Sequence, residues 1–542
     1  MRLFSKRNIS IICSALGFLV LSNCAKTGRP QGGPKDEDAP IFVTAKPPYK
    51  SLFFKAKEIR IEFDEFVRMK DLNKQLIVSP PLKNPPLISP QGSPSKEFKI
   101  KILDTLQENT TYIFNFGNAV VDNNESNVLE NFSYVFSTGD YIDSLTTKGS
   151  VKEVGTTENK ANISLLLYRL DSAYTDSIVY KKKPNYVTKT QDSVNFSFFN
   201  LKKGSYKVVA LKEEIGDYIF NPKTDRIGFL NDTINLPQDS IIETPIVYFY
   251  EDQPFEFARG KELTKGKIQF GFNGDRKNFS ISLLSKVPDS FQSVAKYEQG
   301  RDSLNYWFTP IDRDSLNFVV QKDDFIDTVT VRLRKKKIDS LLISPSIRKT
   351  LHFRDTFYLR SNTPIIKVDT SKVKLIDKDT INVPFEVLPS KKENKVYLLF
   401  DKKPVQKYTV TFLPKALEDI YKVSHDTLNY SLYTQEIEDY GRITLNVNNT
   451  QNKNVIVQLL SGRNQTDLVE QRTISGSESL VFDLLEPKNY TVRAIIDDNN
   501  NNKWDTGNFL LKRQPEVIIY HPELRDFELR ANYFLEEILI IN

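Results

Sequence analysis

The sequence predicts an all-β protein built as a row of sandwich domains. Three observations lead there. Apolar and polar residues alternate in stretches such as "KEIRIEFDEF" (57–66), "KKENKVYLLFD" (391–401) and "YGRITLNVNN" (440–449), which is the period of a half-buried strand. Aromatic residues make up 11% of the chain, with 36 Phe and 24 Tyr, and they favour strands. No window carries a sustained helical period, whereas segments do repeat internally. At 39% hydrophobic the chain can bury packed cores. At roughly 100–200 residues per domain, 542 residues predict about three to five domains.

The charge is close to balanced, with 75 Lys and Arg against 69 Asp and Glu. Without Arg2, Lys6 and Arg7, which lie in a segment expected to be removed, the surplus is +3 (72 against 69). That is too even to imply nucleic acid. The basic run Arg332-Leu333-Arg334-Lys335-Lys336-Lys337 reads as a solvated strand edge or domain junction, where Lys blocks unwanted pairing, with an anion or nucleic-acid patch as the alternative. Of the two cysteines, Cys13 lies within the apolar N-terminal stretch and Cys24 follows it, so the mature chain has no internal disulfide.

Residues 1–23 read as a signal peptide: a basic start, then an apolar run from Ile9 to Leu21 that is too short to span a bilayer comfortably. Leu21-Ser22-Asn23-Cys24 resembles a bacterial lipobox, with Asn23 where Gly or Ala is usual. The resemblance implies cleavage before Cys24 and lipidation of its thiol, giving two or three acyl chains such as palmitate and a stable membrane anchor. Ala25 is similar to the residue that directs lipoproteins to the outer membrane, with the periplasmic or surface face left open. Residues 24–37 are then the lipidated Cys24 and a flexible tether rich in Gly, Pro and charge.

Two pairs of internal repeats set the domains. Residues 109–140 and 405–436 share a Tyr-led strand, a small joint (Ala119, Ala416), an Asp (Asp122, Asp419), a polar turn and a strand ending in Thr (Thr138, Thr434). Residues 196–222 align without gaps on the stretch that starts near Val481, pairing Phe198 with Phe482, Leu201 with Leu485, Tyr206 with Tyr490, Ala210 with Ala494 and Phe220 with Trp504. The first pair resembles the SbsA-like bacterial immunoglobulin-like (Ig-like) domain, as does "DAPIFVTAKPP…KEIRIEFDEFV", in which "F-D-E" closes the strand. The second resembles prealbumin-like sandwiches. The resemblance implies tandem Ig-like and prealbumin-like β-sandwich domains after a lipoprotein signal peptide: an SbsA-like Ig domain at 38–140, a prealbumin-like sandwich at 144–250, a β-domain of unassigned type at 255–345, a second Ig-like domain at 348–436 and a prealbumin-like sandwich at 440–542. The order also resembles a class of Bacteroidota lipoproteins with an N-terminal Ig-like domain, a class that brings no defined activity with it.

The stretch "IIDDNNNNKWDTGN" (495–508) is the one candidate for ion chemistry. Asp497, Asn499, Asn501, Lys503 (through its carbonyl) and Asp505 fall at positions 1, 3, 5, 7 and 9 of a loop, the oxygen spacing a calcium ion needs. Asn502 replaces the turn glycine and Asn508 replaces the closing Glu, so affinity would be weak. The aligned copy has Glu213, Ile215, Asp217 and Asn221, and Ile215 cannot ligate. Two readings stand: a weak Ca2+ site, or a turn in which Asn and Asp bond their own backbone. The shared aromatic, Phe220 or Trp504, is expected to plug the sandwich end.

Little else carries chemistry. The histidines His352, His425 and His521 are spread over two of these domains without zinc spacing. No nucleophile elbow, P-loop or dinucleotide motif occurs. The adjacent acids Asp64 and Glu65 point to opposite faces of a strand and cannot converge as a glycosidase pair. The triplet Asp-Ser/Thr-aliphatic recurs and resembles the O-glycosylation consensus of Bacteroidota, which nominates Thr105, Ser144, Ser172, Ser177, Ser303 and Ser340. Alternatively, the triplet is a turn leading into a strand. The chain is thus expected to be a lipid-anchored rod of the cell envelope with a binding or spacer role and no catalytic activity. Its expected partners are the membrane, through acylated Cys24, and a polysaccharide or envelope protein, with no nucleic acid. A second hypothesis is an envelope-associated hydrolase or accessory subunit with an inter-domain carboxylate site, and a third is a component of a larger envelope machine.

Overall fold

A computed structural model describes residues 36–155, 162–190, 194–298, 300–334, 337–462 and 465–541. The signal peptide, Cys24 and most of the tether lie outside the described residues, as do Lys335 and Lys336. The fold is nearly all β, with 49% of residues in strands. Among the described residues the one α-helix is the single turn Leu72–Gln75. The chain divides into two compact units. Of the described residues, the first holds those up to Thr146 with Asn185–Thr188 and Phe198–Lys202, and the second holds the others.

The first unit carries the N-terminal sandwich. One sheet runs Phe42–Lys46, Glu58–Met69, Ser95–Lys101, Leu87–Ser89, with Val120–Asp122 added along Glu58–Met69. The facing sheet runs Ile77–Ser79, Thr111–Gly117, Phe132–Ser137. Alternation makes the core: Ile59, Ile61 and Phe63 are buried, while Arg60 and Glu62 between them are exposed. Phe63 stacks on Phe98, and Phe54 on Phe136. "F-D-E" does not close the strand. It continues to Met69, with an irregularity between Glu62 and Val67 in its pairing to Ser95–Lys101.

The second unit holds four sheet systems. In the first, Ser164–Arg169, Gly204–Lys212, Arg226–Phe229, Ile246–Phe249 and Leu145–Glu153 lie side by side in one sheet. The second packs a four-stranded sheet (Glu256–Thr264, Lys267–Asn273, Ser303–Phe308, Ser293–Tyr297) with a three-stranded one (Phe279–Leu283, Ser315–Lys322, Phe325–Arg332) around Phe270, Phe272, Tyr306 and Phe318. The basic run starts at the end of Phe325–Arg332, which is an edge strand of its sheet. The third system begins earlier than its repeat suggested, because Ile343–Pro345 pairs with Phe357–Ser361 and so belongs to it. The fourth packs Glu478–Leu485, Gly441–Asn449 and Phe534–Ile541 against a sheet centred on Val455–Ser461 and Asn489–Ile496.

The first pair of repeats rests on shared hydrogen bonds. Tyr112 and Tyr408 each accept, at the hydroxyl, the amide five residues back, from Gln107 and Lys403. Thr138 Oγ1 donates to the Gln107 carbonyl and accepts from the Thr110 amide, and Thr434 does the same with Lys403 and Gln406. The aspartates close the preceding turns. Asp122 accepts the amides of Asn124, Glu125, Ser126 and Asn127 at 2.7–2.9 Å. Asp419 accepts those of Tyr421 and Val423, with the Thr363 hydroxyl on its other oxygen. Burial pushes Asp122 up, but the four amides outweigh it and hold its carboxyl below the usual range.

The second unit is not an open string of domains. Tyr421 donates its hydroxyl to Gly266 O (2.8 Å), joining the third sheet system to the second, and His352 Nε2 donates to Leu484 O (2.7 Å), joining the third to the fourth. The fourth then returns to the first. The rod expected for this part of the chain is replaced by a closed cycle of contacts.

Asp122→Ala would strand four turn amides. It is expected to destabilise the N-terminal unit by about 3 kcal/mol in urea unfolding. That unit is also expected to lose stability in acid as pH falls through the depressed Asp122 pKa, a loss the variant should not share.

Candidate functional site

Strand Asn489–Ile496 runs straight into the Asn-rich loop. The turn needs two left-handed residues, Asn500 (φ 60°) and Asn502 (φ 62°), and Asn tolerates that conformation. Asp497 is 2% exposed and accepts the amides of Asn501 (3.1 Å) and Asn502 (2.8 Å). Asn499 Oδ1 accepts from the Asn501 amide and Asn501 Oδ1 from the Lys503 amide. The side-chain amides of Asn499 and Asn501 both donate to Asp505 Oδ2, at 2.5 and 2.6 Å. The predicted side chains Asp497, Asn499, Asn501 and Asp505 therefore meet, and they meet as a hydrogen-bonded turn. Among the described residues no group of three His, Cys, Asp or Glu side chains is placed to hold a metal ion.

The second copy repeats the turn. Gly216 (φ 77°) and Tyr218 (φ 62°) stand where Asn500 and Asn502 do. The Tyr218 amide donates to Glu213 Oε2 and the Ile219 amide to Asp217 Oδ1, matching the bonds to Asp497 and Asn501. This copy carries Ile215, 77% exposed, in the place of Asn499. Carboxylate-to-amide bonds thus form the same loop around a residue that cannot ligate.

Glu516 completes the loop, and no spacing in the sequence announced it. It is buried, and its two oxygens accept the amides of Asp498 (3.0 Å) and Asp505 (2.9 Å). Burial pushes its pKa up, and repulsion from Asp505 and Asp497 adds to this, against the two amides. Trp504 is half-buried and donates Nε1–H to Glu516 O.

Residues 506–515 then leave as an arm that docks on the 145–249 sheet. Thr506 Oγ1 donates to Tyr250 O, the Phe509 amide to Glu251 Oε1 (2.5 Å), and Gln514 Nε2 to Phe229 O (2.9 Å). Asn508 and Arg513 pair across the tip, which leaves Leu511 exposed. Phe509 is 2% exposed, its ring edge-on to Phe229 at 5.1 Å and beside Tyr180. Gly507 permits the approach, because a Cβ there would lie 2.3 Å from the Phe249 ring. The plug expected of the aligned aromatics holds for Phe220, which is buried against Tyr180. Trp504 is only half-buried, and Phe509 joins Phe220 beside Tyr180 instead of filling the last sandwich. Burial pushes Glu251 up despite the Phe509 amide, the Tyr180 hydroxyl and nearby Arg513.

Beside the arm lies a cavity of about 520 Å3, walled by Phe229, Ile234, Ile242 and Ile518. Its acidic lining is Asp232, Asp239, Glu243 and Glu516. Glu516 spends both oxygens on amides, and Asp239 accepts from the Asn235 amide (2.6 Å). The histidines are likewise bound to backbone: His352 and His521 accept at Nδ1 from the amides of Arg354 and Leu524, and His425 accepts at Nε2 from that of Leu417. Of the glycosylation candidates, Thr105, Ser144, Ser172 and Ser340 are exposed and Ser177 is half-buried. Ser303 is 6% exposed within a strand and donates to Glu298 Oε2, so a glycan does not fit there in the folded domain.

The fold and the loop together define a multi-domain β protein held by carboxylate-capped turns. Residues 36–138 match the bacterial Ig-like domain family, Big_5. Among solved structures, the chain is similar to domains 1–6 of the surface layer protein SbsC (11% identity, 90% of this chain and 67% of that one, TM-score 0.16). It is also similar to BcpA, the major pilin subunit of Bacillus cereus (10%, 73% and 99%, TM-score 0.13), and to the Bacteroides ovatus mixed-linkage glucan utilization protein SGBP-B solved with a heptasaccharide (10%, 68% and 88%, 0.17). No curated protein matches the chain.

Phe509→Ala is expected to cost about 3–4 kcal/mol in the stability of the second unit, read by denaturant unfolding. Glu251 has a folded pKa above 4.5, so its contribution is full below that value and falls as pH rises through the raised one. Glu251→Gln keeps the acceptor for the Phe509 amide. It is expected to flatten the decline of melting temperature as pH rises above 4.5 and through the raised Glu251 pKa, so that its advantage over the parent grows with pH.

Proposed function

We propose that the protein is a lipid-anchored component of a bacterial, Bacteroidota-type outer envelope, whose second unit is a preformed binding and spacing scaffold with no catalytic role. The observation that carries this reading is the docked arm. It closes four sheet systems into one body and fixes their surfaces before any partner arrives, which lowers the ordering cost of binding. The carboxylates and histidines best placed for chemistry serve backbone amides instead. "LSNC" and the tether that follows support anchoring through Cys24, and a polysaccharide or envelope protein is the partner class that suits such a scaffold.

Mass spectrometry of the N-terminal peptide from a native envelope tests the anchor. The expected result is a chain that begins at Cys24 and carries acyl chains. An intact Met1 with a free Cys24 thiol would contradict it.

A further inference from the structure

A second cavity of the second unit, about 900 Å3, gathers six cations. Arg276 and Lys277 come from the turn before Phe279–Leu283, Lys296 from strand Ser293–Tyr297, Lys391 and Lys392 from the turn before Lys395–Leu399, and Lys503 from the Asn-rich loop. Two carboxylates, Asp275 and Glu393, also line it, which leaves a local surplus of four against +6 for the whole chain. Glu393 is already engaged by Lys395 (2.7 Å) and the Tyr397 hydroxyl. Lys296 is buried and donates to Ser390 O and Glu393 O, fastening the floor. Among the described residues, Arg276, Lys277, Lys391, Lys392 and Lys503 form no ion pair.

Gathering unpaired like charges from three sheet systems into one hollow is unfavourable in the free protein, and a bound anion reverses that cost. We propose that this cavity binds an acidic polysaccharide, with uronate carboxylates meeting the Lys and Arg side chains. The proposal rests on the scaffold reading above and names its ligand class. The shape favours a glycan over nucleic acid. The cations ring a hollow at the upper end of the size range for small-ligand sites, instead of following a stripe with free aromatic faces. Arg276 covers the Tyr297 ring at 4.8 Å, and the Tyr297 hydroxyl donates to Phe279 O.

The test is calorimetric titration of the full chain in detergent with a galacturonate hexasaccharide, its methyl ester and a single-stranded DNA oligonucleotide. The acid form is expected to bind. Its affinity is expected to fall about tenfold or more in Lys391→Glu/Lys392→Glu, in Lys503→Glu and at high salt, with the ester at least as weak. These side chains are exposed, so the variants are expected to keep the parent's melting temperature. Equal binding of acid and ester, unchanged affinity in both variants, or tighter binding of DNA would overturn the proposal. No binding by a parent protein that still unfolds cooperatively would overturn the ligand class alone, whereas an undocked arm would overturn the scaffold reading.

Discussion

The second unit depends on a buried carboxylate that meets an amide from the far end of the chain. Glu251 sits at the end of one sheet system and accepts the Phe509 N–H from the last one. Burying a charge is costly unless it is hydrogen-bonded, and here the Phe509 amide, the Tyr180 hydroxyl and nearby Arg513 offset part of that cost. The Phe509 ring supplies the apolar share by filling the space beside Phe229 and Tyr180. The contact closes a long stretch of chain, and closure entropy grows only slowly with length, so a small docked arm can hold it.

One device recurs throughout the molecule: a carboxylate at the last position of a strand or just after it collects the amides of the turn that follows. Asp122 does this in the first unit, and Asp419, Glu213 and Asp497 do it in the second. It commits these carboxylates to backbone amides. It also explains why the Asn-rich loop resembles an ion loop, since alternate oxygens that could face a cation also suit amides in a tight turn. Cations are treated differently. Several near Lys296 are left without carboxylate partners, and that imbalance gives the scaffold a chemical preference.

Much of this was legible in the sequence. Alternation gave the strands and their buried faces, as at Ile59, Ile61 and Phe63, because period two maps directly onto the two faces of a sheet. The repeats located the turn aspartates and the paired Tyr and Thr, because those bonds are local and depend on fixed spacing. What escaped was non-local. Glu516, Phe509 and Glu251 lie in stretches with no pattern of their own, and their roles come from segments meeting in space. Trp504 is only half-buried although its aligned partner Phe220 is buried, because alignment conveys position in a repeat and not what the next segment does. The early start of the third sheet system at Ile343 was hidden for the same reason, as its partner Ser361 lies across a long connection.

Hydrogen–deuterium exchange at the Phe509 amide tests the closure most directly. If the arm is docked on Glu251, that amide exchanges on the timescale of the core amides of strand Asn489–Ile496. Exchange as fast as the exposed tip at Leu511 would mean that the arm is free and the second unit open.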